Sequence, residues 1–142
     1  MASLKDKIII LTGASRGIGA AAARELATDG AHLVLCARSA DACTETKAAV
    51  EALGATAETH GFEVADFDAA KSFIDGVLDE HGRIDVLINN AGTGLMGSVA
   101  DVPPDAYLDV LKINVMGPYN MISAALPSMT AHDDGIIINI TS

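Results

Sequence analysis

Short, continuous apolar runs alternate with longer segments of helical period from one end of the chain to the other. Ile8-Ile9-Ile10-Leu11 is the first run and His32-Leu33-Val34-Leu35-Cys36-Ala37 the second. Thr56 to Phe62 reads as a short third strand, Ile84-Asp85-Val86-Leu87-Ile88 as the fourth and Ile136-Ile137-Ile138-Asn139-Ile140 as the fifth. Between them the pattern predicts four helices. One runs from Gly17 through Ala20-Ala21-Ala22-Ala23 to a stop at Gly30, and another from Ala40 to Leu53, with Ser39 as N-cap and Gly54 ending it. A third runs from about Asp68 to Gly82, with Ala70, Phe73, Ile74, Val77 and Leu78 on one face, and a long fourth covers Pro104 to Met129. Regular alternation of strand and helix predicts an α/β fold built on a doubly wound parallel sheet. Right-handed crossovers order the strands 3-2-1-4-5 and put a ligand crevice between strands one and four. The loop from Gly92 to Pro103 lies beside that crevice.

A length of 142 residues suits a single domain spanning residues 1–142. Half the residues are hydrophobic while aromatics are only 4% and Trp is absent, so the core is expected to be aliphatic. No apolar run approaches 18 residues, and Met1-Ala2-Ser3-Leu4-Lys5-Asp6 has no signal-peptide core, so the expected location is cytoplasmic, with no membrane span. A net charge of −10 without any Lys/Arg cluster argues against a nucleic-acid partner. Cys36 and Cys43 match no metal motif and are expected to be buried free thiols. His32, His60, His81 and His132 show no paired ligand spacing; they read as solvated or capping residues, and no metal site is expected.

Chemistry concentrates behind the first strand, in Thr12-Gly13-Ala14-Ser15-Arg16-Gly17-Ile18-Gly19. A tight turn needs residues without a Cβ, and a diphosphate approaches main chain only where no side chain intervenes. The helix that follows offers free N–H groups and the positive end of its dipole. The spacing differs from G-x-G-x-x-G, and no Gly-Lys-Ser/Thr closes the loop as in a P-loop. About twenty residues further on, where an acidic residue would accept from an adenosine ribose, stands Ala37-Arg38. A guanidinium there pairs instead with a 2′-phosphate, and Arg16 inside the turn could close on the same group, so the pair points to NADP (NADPH) rather than NAD.

With Asn89-Asn90-Ala91-Gly92 at the end of strand four, these residues resemble the short-chain dehydrogenase/reductase family over all 142 residues. The resemblance implies a Rossmann fold, truncated here after strand five, and a carbonyl–alcohol interconversion on a small organic substrate. It implies cofactor contacts at Gly13, Ser15, Arg16, Gly17, Ile18, Gly19 and Arg38, and an adenosine and ribose site lined by Asn90, Ala91 and Gly92. Where the family commonly carries Asp-Val at the adenine edge, this chain has Glu63-Val64. Of the catalytic Asn-Ser-Tyr-Lys set, Asn114 and Ser142 match by position. Asn114 has independent physical support, since Pro118 has no N–H to bond its carbonyl, which is thereby free to hold a relay water. Tyr107 and Tyr119 lack a Lys four residues on, so the printed chain has no Tyr-x-x-x-Lys and is expected to be inactive alone, as part of a longer enzyme. That enzyme is expected to be a homo-oligomer, because family members often pair through the long helix. Two other readings stand beside this one: a nucleotide-binding module without turnover, and a methyltransferase, against which Arg38 speaks because a ribose diol calls for an acidic residue.

Overall fold

In the computed structural model, which describes residues 3–141, the five expected strands form one sheet. The strands are β1 (Ile8–Thr12), β2 (His32–Ala37), β3 (Thr56–Gly61), β4 (Val86–Asn89) and β5 (Ile136–Asn139). All neighbours are parallel and the order is β3-β2-β1-β4-β5. The central β1 is buried at every position, as a strand covered on both faces must be. Side chains alternate between two helical layers. Ile9, Leu11, Leu33 and Leu35 face α1 (Gly17–Ala27) and α2 (Thr44–Ala52), which contribute Ala23, Ala27 and Val50. Ile8, Ile10, Val34 and Leu87 face the opposite way. They meet Phe73, Ile74 and Val77 of α3 (Phe67–His81) and Met121, Ala125 and Met129 of α5 (Gly117–His132).

Local chemistry sets the element ends. Asp66 caps α3 by accepting from the Ala69 N–H at 3.0 Å, and Gly82 closes it in the left-handed region. Asp85, expected inside the fourth strand, lies just before it, and its carboxylate takes the Ile8 N–H at 2.8 Å. The second predicted helix opens with a 3₁₀ turn at Ala40–Cys43, and Ser39 makes no side-chain cap. Cys36 and Cys43 are both buried and free.

Two expectations need correcting. The long helix from Pro104 to Met129 is present without a break but is not regular: α4 (Pro104–Leu111) passes through a π-helical turn at Lys112–Met116 directly into α5. The Gly117 N–H reaches back five residues to the Lys112 carbonyl. Pro118 explains the widening, because it has no N–H for residue 114 and its ring would collide with that carbonyl in a regular α-turn. The histidines are not all solvated or capping residues either. His32, His60 and His81 converge on Glu58, because strand register and the return of α3 bring distant positions together. His132 behaves as read, bonding the Ser128 carbonyl at 2.8 Å in the last turn of α5. No helix among the described residues is long and apolar enough to cross a membrane.

Candidate functional site

A cavity of about 390 Å³ opens at the carboxyl ends of the strands. It is walled by the turn after β1, by Ala37 and Arg38 after β2, by Phe62-Glu63-Val64 after β3 and by Asn90 to Thr93 after β4. The sequence-nominated Gly13, Ser15, Arg16, Gly17, Ile18, Arg38, Glu63, Val64, Asn90, Ala91 and Gly92 all line it. Gly19 does not. It lies buried beneath the turn, where an added Cβ would stand 2.1 Å from the Gly13 carbonyl oxygen and 2.7 Å from Asn90 Nδ2. The missing Cβ lets α1 close on the turn.

The other two glycines of the turn are needed for different reasons. Gly13 sits at φ +66°, with Ala91 Cα only 2.8 Å from where a Cβ would be. Gly17 sits at φ +56° with open space at the same point, so its conformation alone favours glycine. Arg16 is the N-cap of α1 and makes no capping bond, having no oxygen to accept one. The first turn of α1 also carries no acidic residue. Its N–H groups and positive dipole end therefore face the cavity without side-chain competition, an arrangement that suits a diphosphate. Arg16 and Arg38 are exposed, and neither is tied to a carboxylate among the described residues.

The walls are fastened from behind. Asn90 Nδ2 donates to the Thr12 and Gly13 carbonyls at 3.2 and 3.0 Å, and the Asn90 and Ala91 N–H groups both donate to Thr12 Oγ1 at 3.0 Å. Asn89 donates to Asn139 Oδ1 at 2.9 Å, joining β4 to β5. Thr46 of α2 donates to the Ala14 carbonyl at 2.9 Å, and the buried Asn120 of α5 to the Val64 carbonyl at 3.0 Å. Cys36 lines the cavity but is kept a neutral thiol. Burial, then the neighbouring Cys43 and Glu58, push its pKa well above the ordinary thiol value.

Asn114 lies in the π-helical turn, and its side chain is fully used by the loop after β4. Oδ1 accepts the Thr93 N–H at 2.9 Å and Nδ2 donates to the Thr93 carbonyl at 2.7 Å. Ser142 lies outside the described residues. Sequence reasoning missed Cys36, Phe62, Thr93 and Ile113 in the cavity wall. Phe62 had a signal in its place beside Glu63-Val64, whereas Ile113 comes from the π-helical turn. A second, more apolar cavity of about 640 Å³ lies along the same loop, lined by Leu95, Val99, Val102, Tyr107 and Val110 among others.

Comparison with known proteins gives this geometry a context. The family model described as short chain dehydrogenase matches residues 7–142. L-rhamnose 1-dehydrogenase (NAD(P)(+)) of Azotobacter vinelandii is 37% identical over 98% of this chain and 56% of its own length. Among solved structures, a metagenomic short-chain oxidoreductase in complex with NADP superposes with a TM-score of 0.94 at 41% identity, covering 99% of this chain and 63% of that one. NAD+-bound xylitol dehydrogenase has the same TM-score, 0.94, at 32% identity, covering 99% and 55%. The chain spans about half the length of the curated relatives it matches, 45% of one and 56% of another.

Proposed function

The chain belongs to the short-chain dehydrogenase family, and on that premise we propose that its cavity binds NADP(H) for an oxidoreductase that interconverts a carbonyl and an alcohol on a small organic substrate. The single observation that carries the cofactor assignment is the pair Arg16 and Arg38 at the cavity wall, with Arg38 rather than a carboxylate at the position directly after β2. Solved relatives hold either NADP or NAD+, so family membership alone does not choose between them.

When bound, the nicotinamide cofactor supplies or accepts the hydride. The residues of the chain do the rest. Gly13 and Gly17 keep side chains away from the diphosphate, and the start of α1 offers it N–H donors. Arg38 and Arg16 pair with the 2′-phosphate. Glu63 and Val64 border the adenine, and Asn90, Ala91 and Gly92 the adenosine ribose. Because the Asn114 side chain is held by Thr93, its main-chain carbonyl is the group left to position a water for proton transfer. Ser142 holds the substrate carbonyl oxygen and donates a hydrogen bond as negative charge develops there.

Binding isotherms for NADPH, NADH and S-adenosylmethionine test the assignment. NADPH should bind about 10- to 100-fold more tightly than NADH, which corresponds to roughly 1.5–3 kcal/mol, and S-adenosylmethionine should not compete. Equal affinity for the two nicotinamide cofactors would overturn the NADP reading. Carbonyl-dependent oxidation of NADPH by the full-length enzyme tests the reaction, and binding without turnover would leave a nucleotide-binding module instead.

A further inference from the structure

At the end of the sheet opposite the cavity, the first residues of β2 and β3 meet the last residue of α3. His32, Glu58 and His81 face one another there, with one ligand atom of each within 4.8 Å of the others. Parallel register builds the cluster. His32 pairs with Thr56, so Glu58, two residues on, shares its face of the sheet. The α3 helix packs on that same face through Phe73, Ile74 and Val77 and delivers His81 at its C-terminus, with the His32 and His81 ring centroids 4.6 Å apart. None of the three residues lines the dinucleotide cavity.

The hydrogen bonding of the cluster is incomplete in a telling way. His32 Nδ1 lies 2.7 Å from Thr56 Oγ1, whereas His32 Nε2 is buried with no hydrogen-bond partner. If Nδ1–H donates to the hydroxyl, Nε2 presents a lone pair with nothing to accept, a costly state for a buried polar atom. Glu58 Oε1 is approached by His81 Nε2 at 3.2 Å and, from along the strand, by His60 Nε2 at 3.3 Å. Two imidazole nitrogens, His32 Nε2 and His60 Nε2, are thus buried without a hydrogen-bond partner around one carboxylate, and of the two only His60 Nε2 lies within ion-pair distance of it.

We propose that His32, Glu58 and His81 form a binding site for a single divalent transition-metal ion of borderline softness, of the Zn²⁺ class. Two imidazoles and one carboxylate suit such an ion, whereas Ca²⁺ and Mg²⁺ call for all-oxygen shells. Metal–ligand bonds of about 2.0–2.1 Å put tetrahedral ligand atoms about 3.3 Å apart, so small side-chain rotations close the present separations. The Thr56 hydroxyl is the outer partner that fixes the His32 tautomer, the arrangement metal-ligating histidines usually have. Side chains of His81 and Glu58 remain 13% and 22% exposed, which leaves the ion a way in and a coordination position for water. Bound there, the ion clips β2, β3 and the end of α3 together, remote from the hydride chemistry.

Zn²⁺ titration calorimetry and Co²⁺ visible spectra on the chain test the site. One ion per chain should bind, with Co²⁺ giving the d–d bands of a nitrogen and oxygen site and no thiolate charge-transfer band. Dissociation constants should rise at least about tenfold in Glu58→Gln and in His81→Gln, and about tenfold in Thr56→Val. His132→Gln should bind as the parent does. Far-UV circular dichroism of the metal-free proteins checks that each variant is folded, and the stoichiometry and spectrum of the parent stand as a test without any variant. No Zn²⁺ binding by the parent, a thiolate band, or parental affinity in folded Glu58→Gln and His81→Gln would each overturn the proposal.

Discussion

Asn90 hangs from Thr12. Its N–H donates to Thr12 Oγ1 at 3.0 Å, and its Nδ2 donates to the Thr12 carbonyl at 3.2 Å and to the Gly13 carbonyl at 3.0 Å. The side chain thereby fixes where β1 ends and the glycine turn begins. An ionised Asp at position 90 accepts only, and would point negative charge at two carbonyl oxygens. Asn90→Asp should cost about 1–3 kcal/mol of stability and weaken dinucleotide binding with it. Urea unfolding measures the first and calorimetry the second. An unchanged midpoint with parental NADPH affinity would refute this role.

The glycines of the turn should separate by mechanism. Gly19→Ala places a carbon 2.1 Å from the Gly13 carbonyl oxygen, a backbone atom that cannot rotate away, so both the fold and the cavity must shift. Gly17→Ala meets no protein atom within 4 Å and bears only the strain of φ +56°, about 1–2 kcal/mol. Thermal unfolding should therefore show Gly19→Ala as the more damaging of the two. Gly17→Val should instead lose NADPH binding out of proportion to its loss of stability, since the branched side chain enters the cavity.

Arg38→Ala should erase most of the NADPH preference and leave NADH affinity nearly unchanged. Opposite charges about 4 Å apart attract by roughly 4 kcal/mol at an effective dielectric near 20, and desolvation returns much of that. Because Arg38 is exposed, the preference should also shrink as salt is raised. Paired NADPH and NADH isotherms at low and high salt read both effects, and a variant that keeps its selectivity would move the assignment to another residue.

Asp85 links acid stability to the sheet. Burial opposes its charge, but the Ile8 N–H, Lys7 and Arg83 outweigh that and hold its carboxyl below the usual carboxylate range. The unfolded chain thus binds this proton at higher pH than the folded one. The stabilisation is complete above the ordinary value of about 3.9 and is lost as pH falls through the lowered value. Asp85→Asn should destabilise the protein near neutral pH, and the gap from the parent should narrow as pH falls from about 5 towards about 2. A gap independent of pH would mean that the carboxylate charge contributes nothing.

Strand order was legible because continuous apolar runs such as Ile8 to Leu11 identify covered strands, and right-handed crossovers leave few ways to arrange them. Most of the cavity was legible too, since Gly13, Gly17 and Arg38 stand at fixed offsets from strand ends. What was hidden depends on long-range register. The Glu58 cluster exists only once His32 is paired with Thr56 and α3 has returned to the same face. Likewise, Pro118 announced a missing hydrogen bond but not that the helix would widen by a π-turn and present Ile113 to the cavity. Thr46 falls within the helix predicted from Ala40 to Leu53, and only packing shows it holding the Ala14 carbonyl.

The β5 edge supplies the last test. Ile137 packs against the α3 and α5 layer, while the alternate residues Ile136 and Ile138 are 56% and 41% exposed on the other face. Strand β5 pairs only with β4, so its outer N–H and C=O groups face no strand among the described residues. An apolar, unpaired edge of this kind recruits other chains. The 142-residue polypeptide should therefore self-associate in a concentration-dependent way. Ile138→Lys, which puts a charge on the exposed face while leaving Ile137 in the core, should shift it towards monomer with little loss of stability. Sedimentation of parent and variant across a concentration series decides the matter. A parent that stays monomeric throughout would show that this edge is shielded in solution.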